Sequence, residues 1–339
     1  MNLKTDRVLL AHGAGGKMSQ ALTERIFLKY FDDPALLMLN DYAVFEVPGG
    51  RIAMSTDTYT IDPIFFPGGD IGSLAVHGTV NDVAMSGAIP IAISTGFILE
   101  EGLLLEDLEI IAGSMSAAAG TAGVRIVTAD TKVVPRGSAD RIFINTTGIG
   151  IIPAGCVIGG QEAKPGDVIL LSGTIGDHGI AVASSREGIR FSTVVSSDSA
   201  SLNSMVSALV RALGDQVHVL RDPTRGGLAT VLNEISVQSN VGIRINEEAI
   251  PVREGVKGAC ELLGYDPLYL ANEGKLVAIV APEAADNALR VIRSDPLGGE
   301  AAIIGEVVRD HPRTVVMNTP LGGHRLVDRL SGEMLPRIC

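Results

Sequence analysis

The sequence predicts an α+β protein of two domains, each a mixed sheet flanked by helices, followed by a flexible C-terminal tail. Three observations predict it. A length of 339 residues implies about two domains, each large enough for a full core. β-Branched runs and helical apolar stripes mix without strict strand–helix–strand alternation, which disfavours a doubly wound parallel sheet. The pattern breaks near Ile152-Pro153-Ala154-Gly155 and then restarts.

The elements follow in order. Residues 1–40 hold a Gly-rich loop, His12 to Lys17, and a helix with Met18, Leu22 and Ile26 on one face. Residues 41–153 form the first domain. Arg51–Thr56 reads as a strand ending in polar residues, and Ile71–Met85 as a helix. Leu108, Ile111, Ala112, Met115, Ala118 and Ala119 make a helical stripe. Val124–Thr128 and Arg141–Ile144 are β-branched strands. Residues 154–318 form the second domain. The turn Lys164-Pro165-Gly166-Asp167 precedes a strand at Val168–Leu171. Helices are expected from about Gly179, through Leu228 to Ile235, and from Glu283 to Arg293; strands at Gly242–Ile245, Lys275–Ala281 and Thr314–Met317. Residues 319–339, with Pro320, Gly322, Gly323, Gly332 and Pro336, have the composition of a linker and read as a pliable arm ending in Cys339.

Composition narrows the function. A net charge of −12 disfavours nucleic acid and anionic membrane as partners. Trp is absent and aromatics are 4%, so stacking platforms for bases are not expected. ATP binding by so acidic a chain needs Mg2+ between carboxylates and phosphates. Three widely spaced cysteines, Cys156, Cys260 and Cys339, fit neither a disulfide framework nor a Cys-x-x-Cys metal site, and point to the reducing cytoplasm. Lys4, Asp6 and Arg7 precede any apolar run, so no signal peptide is expected, and no apolar run is long enough to span a membrane.

Several residues are placed for chemistry. A thiol on the last residue can travel, and a thiolate is a strong nucleophile, although most terminal residues do nothing. Asp57 falls at a strand end. Asn81 and Asp82 lie in a helix among Val80, Val83, Ala84 and Met85. A carboxylate there either faces solvent or needs a partner such as Mg2+. Asp130-Thr131-Lys132 leaves another strand and suits metal and phosphate, or is an ordinary polar exit. Arg221-Asp222-Pro223-Thr224-Arg225-Gly226-Gly227 precedes a helix whose start attracts anions. Glu273 sits in a turn, either solvated or a base. The histidines lack metal-ligand spacing and read as structural or loop residues, His12 being the exception to watch. Cys156 and Cys260 read as small buried hydrophobes.

Taken together, these stretches resemble the AIR synthase-like (PurM-like) superfamily of ATP-binding enzymes over nearly the whole chain. The Gly-rich loop, Asn40-Asp41-Tyr42-Ala43-Val44, Ser55-Thr56-Asp57, Val80 to Ala88 and Asp222 to Gly227 occur in that superfamily's order. His12 to Lys17, Asp130 to Val134 and the ending Pro336-Arg337-Ile338-Cys339 are similar to the hydrogenase-maturation carbamoyl dehydratases, the HypE family. The resemblance implies a two-domain PurM-like fold, a homodimer joined through the N-terminal sheets, and a partner, HypF, that carbamoylates Cys339. It implies ATP-dependent dehydration of the S-carboxamide to an S-cyanide, and transfer of the cyano group to iron on a HypC–HypD complex for the [NiFe]-hydrogenase centre. Carried over, the resemblance makes Asp57 and Asp82 the first choices for Mg2+, with Asp41 and Asp130 next. Lys17 covers phosphates, Asn81 and Thr131 join the nucleotide site, and Glu273 and Lys132 sit near the thiocarboxamide, one as base and the other orienting oxygen. The competing readings are a selenophosphate synthetase-like enzyme, disfavoured because the Gly-rich loop lacks Cys, and a non-catalytic, nucleotide-switched thiol carrier.

Overall fold

A computed structural model of the chain describes residues 16–24, 28, 37–186, 195–330 and 338–339. His12 and most of the Gly-rich loop, Ile26, and residues 331–337 lie outside the described residues.

After α1 (Lys17–Leu22), the first domain runs β1 (Ala43–Val47), β2 (Gly50–Tyr59), a short hairpin β3 (Phe65–Phe66) and β4 (Gly69–Asp70), α2 (Ile71–Met85), β5 (Ile89–Glu100), α3 (Leu105–Ala122), β6 (Arg125–Val134) and β7 (Ile142–Ile152). The main sheet has the order β1-β2-β7-β5-β6, with β5 and β6 parallel and the other pairs antiparallel. The second domain runs β8 (Val168–Leu171), α4 (Asp177–Arg186), α5 (Asn203–Leu213), β9 (Val217–Arg221), α6 (Gly227–Gln238), β10 (Gly242–Asn246), α7 (Glu254–Leu263), β11 (Val277–Val280), α8 (Ala285–Arg293), β12 (Ala302–Val308), β13 (Val315–Asn318) and β14 (His324–Val327). Its sheet order is β14-β13-β10-β12-β8-β11-β9, again mixed because β10 and β13 are parallel. The second sheet carries α5 and α8 on one face and α6 on the other. Mixed sheets flanked by helices are the α+β architecture expected.

The expected helix Ile71–Met85 forms over those residues. Asp70 starts it by accepting the N–H groups of Gly72 and Ser73 at 2.7 and 3.1 Å, and Ser73 returns the contact as a capping box. The helix is apolar on nearly every side because two domains cover it. One face lies on β2 and β7, where a Cβ at Gly150 would come within 2.6 Å of Val83. Toward the second domain, Ala84 and Met85 share a core with Leu202, Met205 and Leu209. Asn81 fastens the two domains: its amide donates to the Ala200 and Glu273 carbonyls at 3.0 and 3.3 Å, and its oxygen accepts the Leu202 N–H at 2.7 Å.

Two expectations need correction. The strands of the first domain are longer than their β-branched cores, because ladder pairing carries polar residues such as Thr131 and Lys132 along with apolar ones. The arm does not begin at Thr319. Gly322 takes a φ of +78° and turns the chain, so that β14 returns along β13 and buries Val327. Those glycines serve a hairpin rather than a linker. No described helix is long and apolar enough to cross a membrane.

Candidate active site

Four segments and the end of the chain converge where the domains meet: the end of β2, the middle of α2, the β9–α6 turn and the loop before β11. Local backbone requirements explain the convergence. Gly226 and Gly227 have φ values of +76° and +62°, and a Cβ on Gly227 would approach the Leu268 and Leu270 carbonyls to 2.5 and 2.6 Å. The turn therefore lies directly on the loop leading to Glu273. Asn272 staples the two together, donating to Pro223 O at 2.9 Å and accepting the Gly176 N–H at 2.7 Å.

Cys339 occupies this junction of its own chain. Ile338 is buried in the core built around Tyr59, Ile71 and Val182, and Cys339 is half-buried beside it. Thr60 N–H donates to the Cys339 main-chain oxygen at 3.2 Å. Burial pushes the thiol up to about 12. Arg225 opposes that rise, while Glu273, Asp57 and Asp82 add to it. In turn, Cys339 is the strongest influence holding the Arg225 guanidinium above its ordinary value, followed, among the raising influences, by Asp57 and Glu273. Arg225 lies at the mouth of the site, 3.9 Å from Asp57 Oδ1.

Glu273 is the most desolvated acid here. It is buried, and its Oε1 has no hydrogen-bond partner among the described residues. Burial raises its carboxyl well above the usual range, and Asp222, Asp198 and Asp57 raise it further against the pull of Arg225. A carboxylate held this way is a stronger base than one in water. Asp82 is also raised well above its ordinary value, by burial first and then by Asp222, Asp57 and Asp41. Burial, then Asp41, pushes Asp222 up to about 7. The Ser55 hydroxyl stands 2.7 Å from Asp82 Oδ2 and 2.8 Å from the Asp41 carbonyl, and shares one proton between them.

Beyond Ser55 opens a cavity of about 640 Å³, lined by Asn40, Asp41, Thr56, Arg221, Glu234 and Arg329 among others. That volume suits a nucleotide. Arg221 is buried on its wall, ion-paired with Asp41 and with Glu234, the latter at 2.6 Å. Ser55 and Asp41 line the cavity, and the Ser55 hydroxyl joins it to Asp82, one of the acids that raise the Cys339 thiol.

Comparison with known proteins fits this geometry. Residues 39–152 match the AIR synthase related protein, N-terminal domain, and residues 164–318 its C-terminal domain. A carbamoyl dehydratase HypE of Rhizobium leguminosarum bv. viciae is 56% identical over 339 residues, covering 100% of this chain and 97% of that protein. The chain belongs to the HypE carbamoyl dehydratase family. A HypE solved in a HypE–HypF complex superposes with a TM-score of 0.87 at 51% identity, over 91% of this chain and 100% of that one. A HypE solved in complex with ATP gives a TM-score of 0.83 at 56% identity, over 98% and 100% of the two chains.

Within this HypE-family framework, the structure gathers Asp41, Asp57, Asp82 and Glu273 around Cys339 and the cavity. It does not bring Asp130, Thr131 or Lys132 there. All three lie on β6, the exposed edge strand, where Lys132 Nζ pairs with the Asp130 carboxylate at 2.7 and 2.9 Å. The strongest influences on Glu273 and Cys339 do not include Lys132. Arg225 stands where a cation was expected of Lys132. Asn81 is spent on the domain contact rather than directed at a nucleotide. Lys17 lies by the cavity rim but pairs with Asp328. Sequence reasoning missed Arg221, Asp222 and Arg225 as site residues. The signal was available: two arginines flanking Asp-Pro-Thr before a glycine pair, a stretch whose sequence reading rests on the glycines and the helix start.

The acidic set has the chemistry of a Mg2+ site. Its donors are all oxygen, and the mutual repulsion among Asp41, Asp57, Asp82 and Asp222 is what a hard cation relieves. Among the described residues, no three His, Cys, Asp or Glu side chains form a ready-made cage. A cation here therefore shares its ligands with nucleotide phosphates, the usual habit of Mg2+.

Proposed function

We propose that the chain dehydrates an S-carboxamide carried on its own Cys339 to an S-cyanide, using ATP. The observation that carries this reading is the seat of Cys339 against Arg225, Glu273, Asp57 and Asp82, with Asp82 joined through Ser55 to a nucleotide-sized cavity.

The reaction balances as S-carboxamide plus ATP giving thiocyanate, ADP, phosphate and a proton. The carboxamide oxygen takes the γ-phosphoryl group, so the group that leaves carbon is phosphate rather than oxide. The C–O bond breaks with both electrons going to phosphate, and two N–H protons are lost as the nitrile forms. Asp82, Asp57 and Asp41 would hold Mg2+, which would supply charge neutralisation for the transferring phosphoryl group. Arg225 faces the reacting carbon and stabilises the negative charge that gathers on its oxygen. Glu273 takes an amide proton, and its unpaired Oε1 is the receiving atom. The seat itself keeps an unmodified thiol protonated. Carbamoylation at Cys339 therefore belongs to the undocked tail, where a carbamoyltransferase such as HypF reaches it. Transfer of the cyano group to iron on a HypC–HypD complex completes this reading.

We also propose a homodimer through the first sheet. Its outer face exposes Met54, Ile89, Ile149 and Ile151 together, a contiguous apolar patch that a second copy can cover, with Ile98 farther along β5. Lys132 shares that face through its pairing with Ile98.

The test is intact-mass analysis of the C-terminal peptide after incubation with HypF, carbamoyl phosphate and ATP, then fresh MgATP. Addition of a carbamoyl group to Cys339 followed by loss of one water is expected. If Cys339→Ala behaves like wild type, the reading fails.

A further inference from the structure

The histidine that opens α4 touches the end of the chain. His178 is fully buried, and burial lowers its pKa, so the ring is neutral. Its Nε2 lies 2.5 Å from the Ile338 carbonyl. A carbonyl only accepts, so Nε2 carries the proton. Nδ1 must then accept, and the Ser197 hydroxyl, 2.8 Å away, donates to it. That hydroxyl also accepts the Ser199 N–H at 3.1 Å, and Ser197 N–H is tied to Pro67 O at 2.7 Å. Phe66 packs edge-on against the imidazole, with centroids 5.4 Å apart and planes at 88°. Ser197 and Phe66 thus fix the ring plane, and the Ile338 carbonyl selects the tautomer.

We propose that His178, its ring held by Ser197, is a positioning residue that seats the last peptide of the chain. It grips the Ile338 carbonyl while Thr60 N–H holds the following main-chain oxygen. Two main-chain anchors one residue apart leave the Cys339 side chain a single direction, toward Arg225 and Glu273. His178 touches no reacting atom; it acts through the peptide it holds. The same serine segment continues into Asp198, which accepts the Glu273 N–H at 3.1 Å. Seat and base are therefore set by adjacent residues. This inference rests on the dehydration reading above for its effect on rate, but not for the seat itself.

The experiment compares His178→Phe, His178→Gln and Ser197→Ala with wild type, using the full chain. Phe keeps the packing against Phe66 and removes the donor; the Gln amide restores a donor. Single-turnover dehydration of carbamoylated protein is expected to slow by about 100-fold in His178→Phe, the scale of a 1 Å misplacement. Rates within about ten-fold of wild type are expected in His178→Gln, and an intermediate loss in Ser197→Ala. Carbamoylation by HypF and KM for MgATP stay unchanged, which reports an intact fold. Independently of any turnover, iodoacetamide is expected to alkylate unmodified Cys339 faster in His178→Phe than in wild type, with protection returning in His178→Gln. Equal dehydration in wild type and His178→Phe, equal loss in the Phe and Gln variants, or unchanged alkylation overturns the proposal. If wild type itself does not dehydrate, the functional reading falls while the alkylation comparison still decides the seat. Should His178→Phe fail to fold, Ser197→Ala carries both readouts.

Discussion

Asp198 accepts the backbone N–H of Glu273 at 3.1 Å with one carboxylate oxygen, while its other oxygen pairs with Lys275 Nζ at 3.2 Å. Both side chains are buried. The proposed base is thus held through its main chain by an ion pair that never touches substrate. Removing Lys275 leaves Asp198 charged and unpaired, which costs about 3–5 kcal/mol for a buried pair. Lys275→Met is therefore expected to unfold at clearly lower temperature than wild type in a thermal melt. An unchanged melting temperature would show the pair to be idle.

Glu273→Gln keeps the shape of the loop and removes the proton acceptor. It is expected to accept a carbamoyl group at the wild-type rate and to dehydrate it about 10²–10⁴-fold more slowly. Mass analysis over time separates the steps. Normal water loss by this variant would take Glu273 out of the role.

Asn81→Ala separates a fastener from a nucleotide ligand. Three hydrogen bonds join Asn81 to the second domain. Their loss, with Leu202 N–H left buried, is expected to lower stability by about 1–3 kcal/mol. ATP affinity by calorimetry, measured below the melting transition, stays within a few-fold of wild type. A large loss of affinity with little loss of stability would restore Asn81 to the nucleotide site.

Asp222 gives the pH dependence a sign. Its pKa is raised from the ordinary 3.8 to about 7, so the folded chain binds this proton more tightly than the unfolded chain. The stability it contributes is complete below pH 3.8 and is lost as pH rises through about 7. Melting temperature of the nucleotide-free protein is expected to fall by several degrees over that window, and to fall less in Asp222→Asn. Excess MgATP should flatten the wild-type curve, because a bound cation neutralises the same cluster. Parallel curves for the two proteins would rule out Asp222 as the group.

Lys132 is exposed on the edge strand of its own chain, so a role in the reaction requires a neighbour. Lys132→Ala and Glu273→Gln homodimers are each expected to dehydrate slowly. In the dimer proposed above, with Lys132 reaching the neighbour's site, mixing the two leaves one site with wild-type Glu273 from one subunit and Lys132 from the other, and is expected to recover part of the rate. Failure to recover, with dimer exchange confirmed by mass, would confine Lys132 to its own chain or to no role.

Much of the fold was legible because it rests on local signals. Ile71–Met85 carries its own start in Asp70 and its own apolar length, and it forms as expected. The break near Pro153 and the turn at Lys164 to Asp167 also fall where the composition puts them. β9 was not legible: Val217 to Arg221 is short and ends in a charged pair, and only pairing with β11 makes it a strand. β14 was hidden for the opposite reason, since a glycine hairpin and a linker have the same composition.

The site divides along the same line. The sequence by itself determined the reacting types: a cysteine at residue 339, carboxylates at strand and helix positions, and a glutamate in a turn before a strand. Motif order along the chain was enough to indicate the family. Only the tertiary structure decided which of them meet. Asp57, Asp82 and Glu273 are far apart in sequence and share one patch because α2 serves both domains. Asp130 and Lys132 have the same chemistry and are left outside, on an edge strand. His178 carries no motif and Asn81 lies in one that points to nucleotide; their contacts follow from a single carbonyl and three main-chain groups placed within hydrogen-bond reach. Spacing in sequence encodes which groups exist; burial and distance, which set charge and reach, arise only when the domains close on each other.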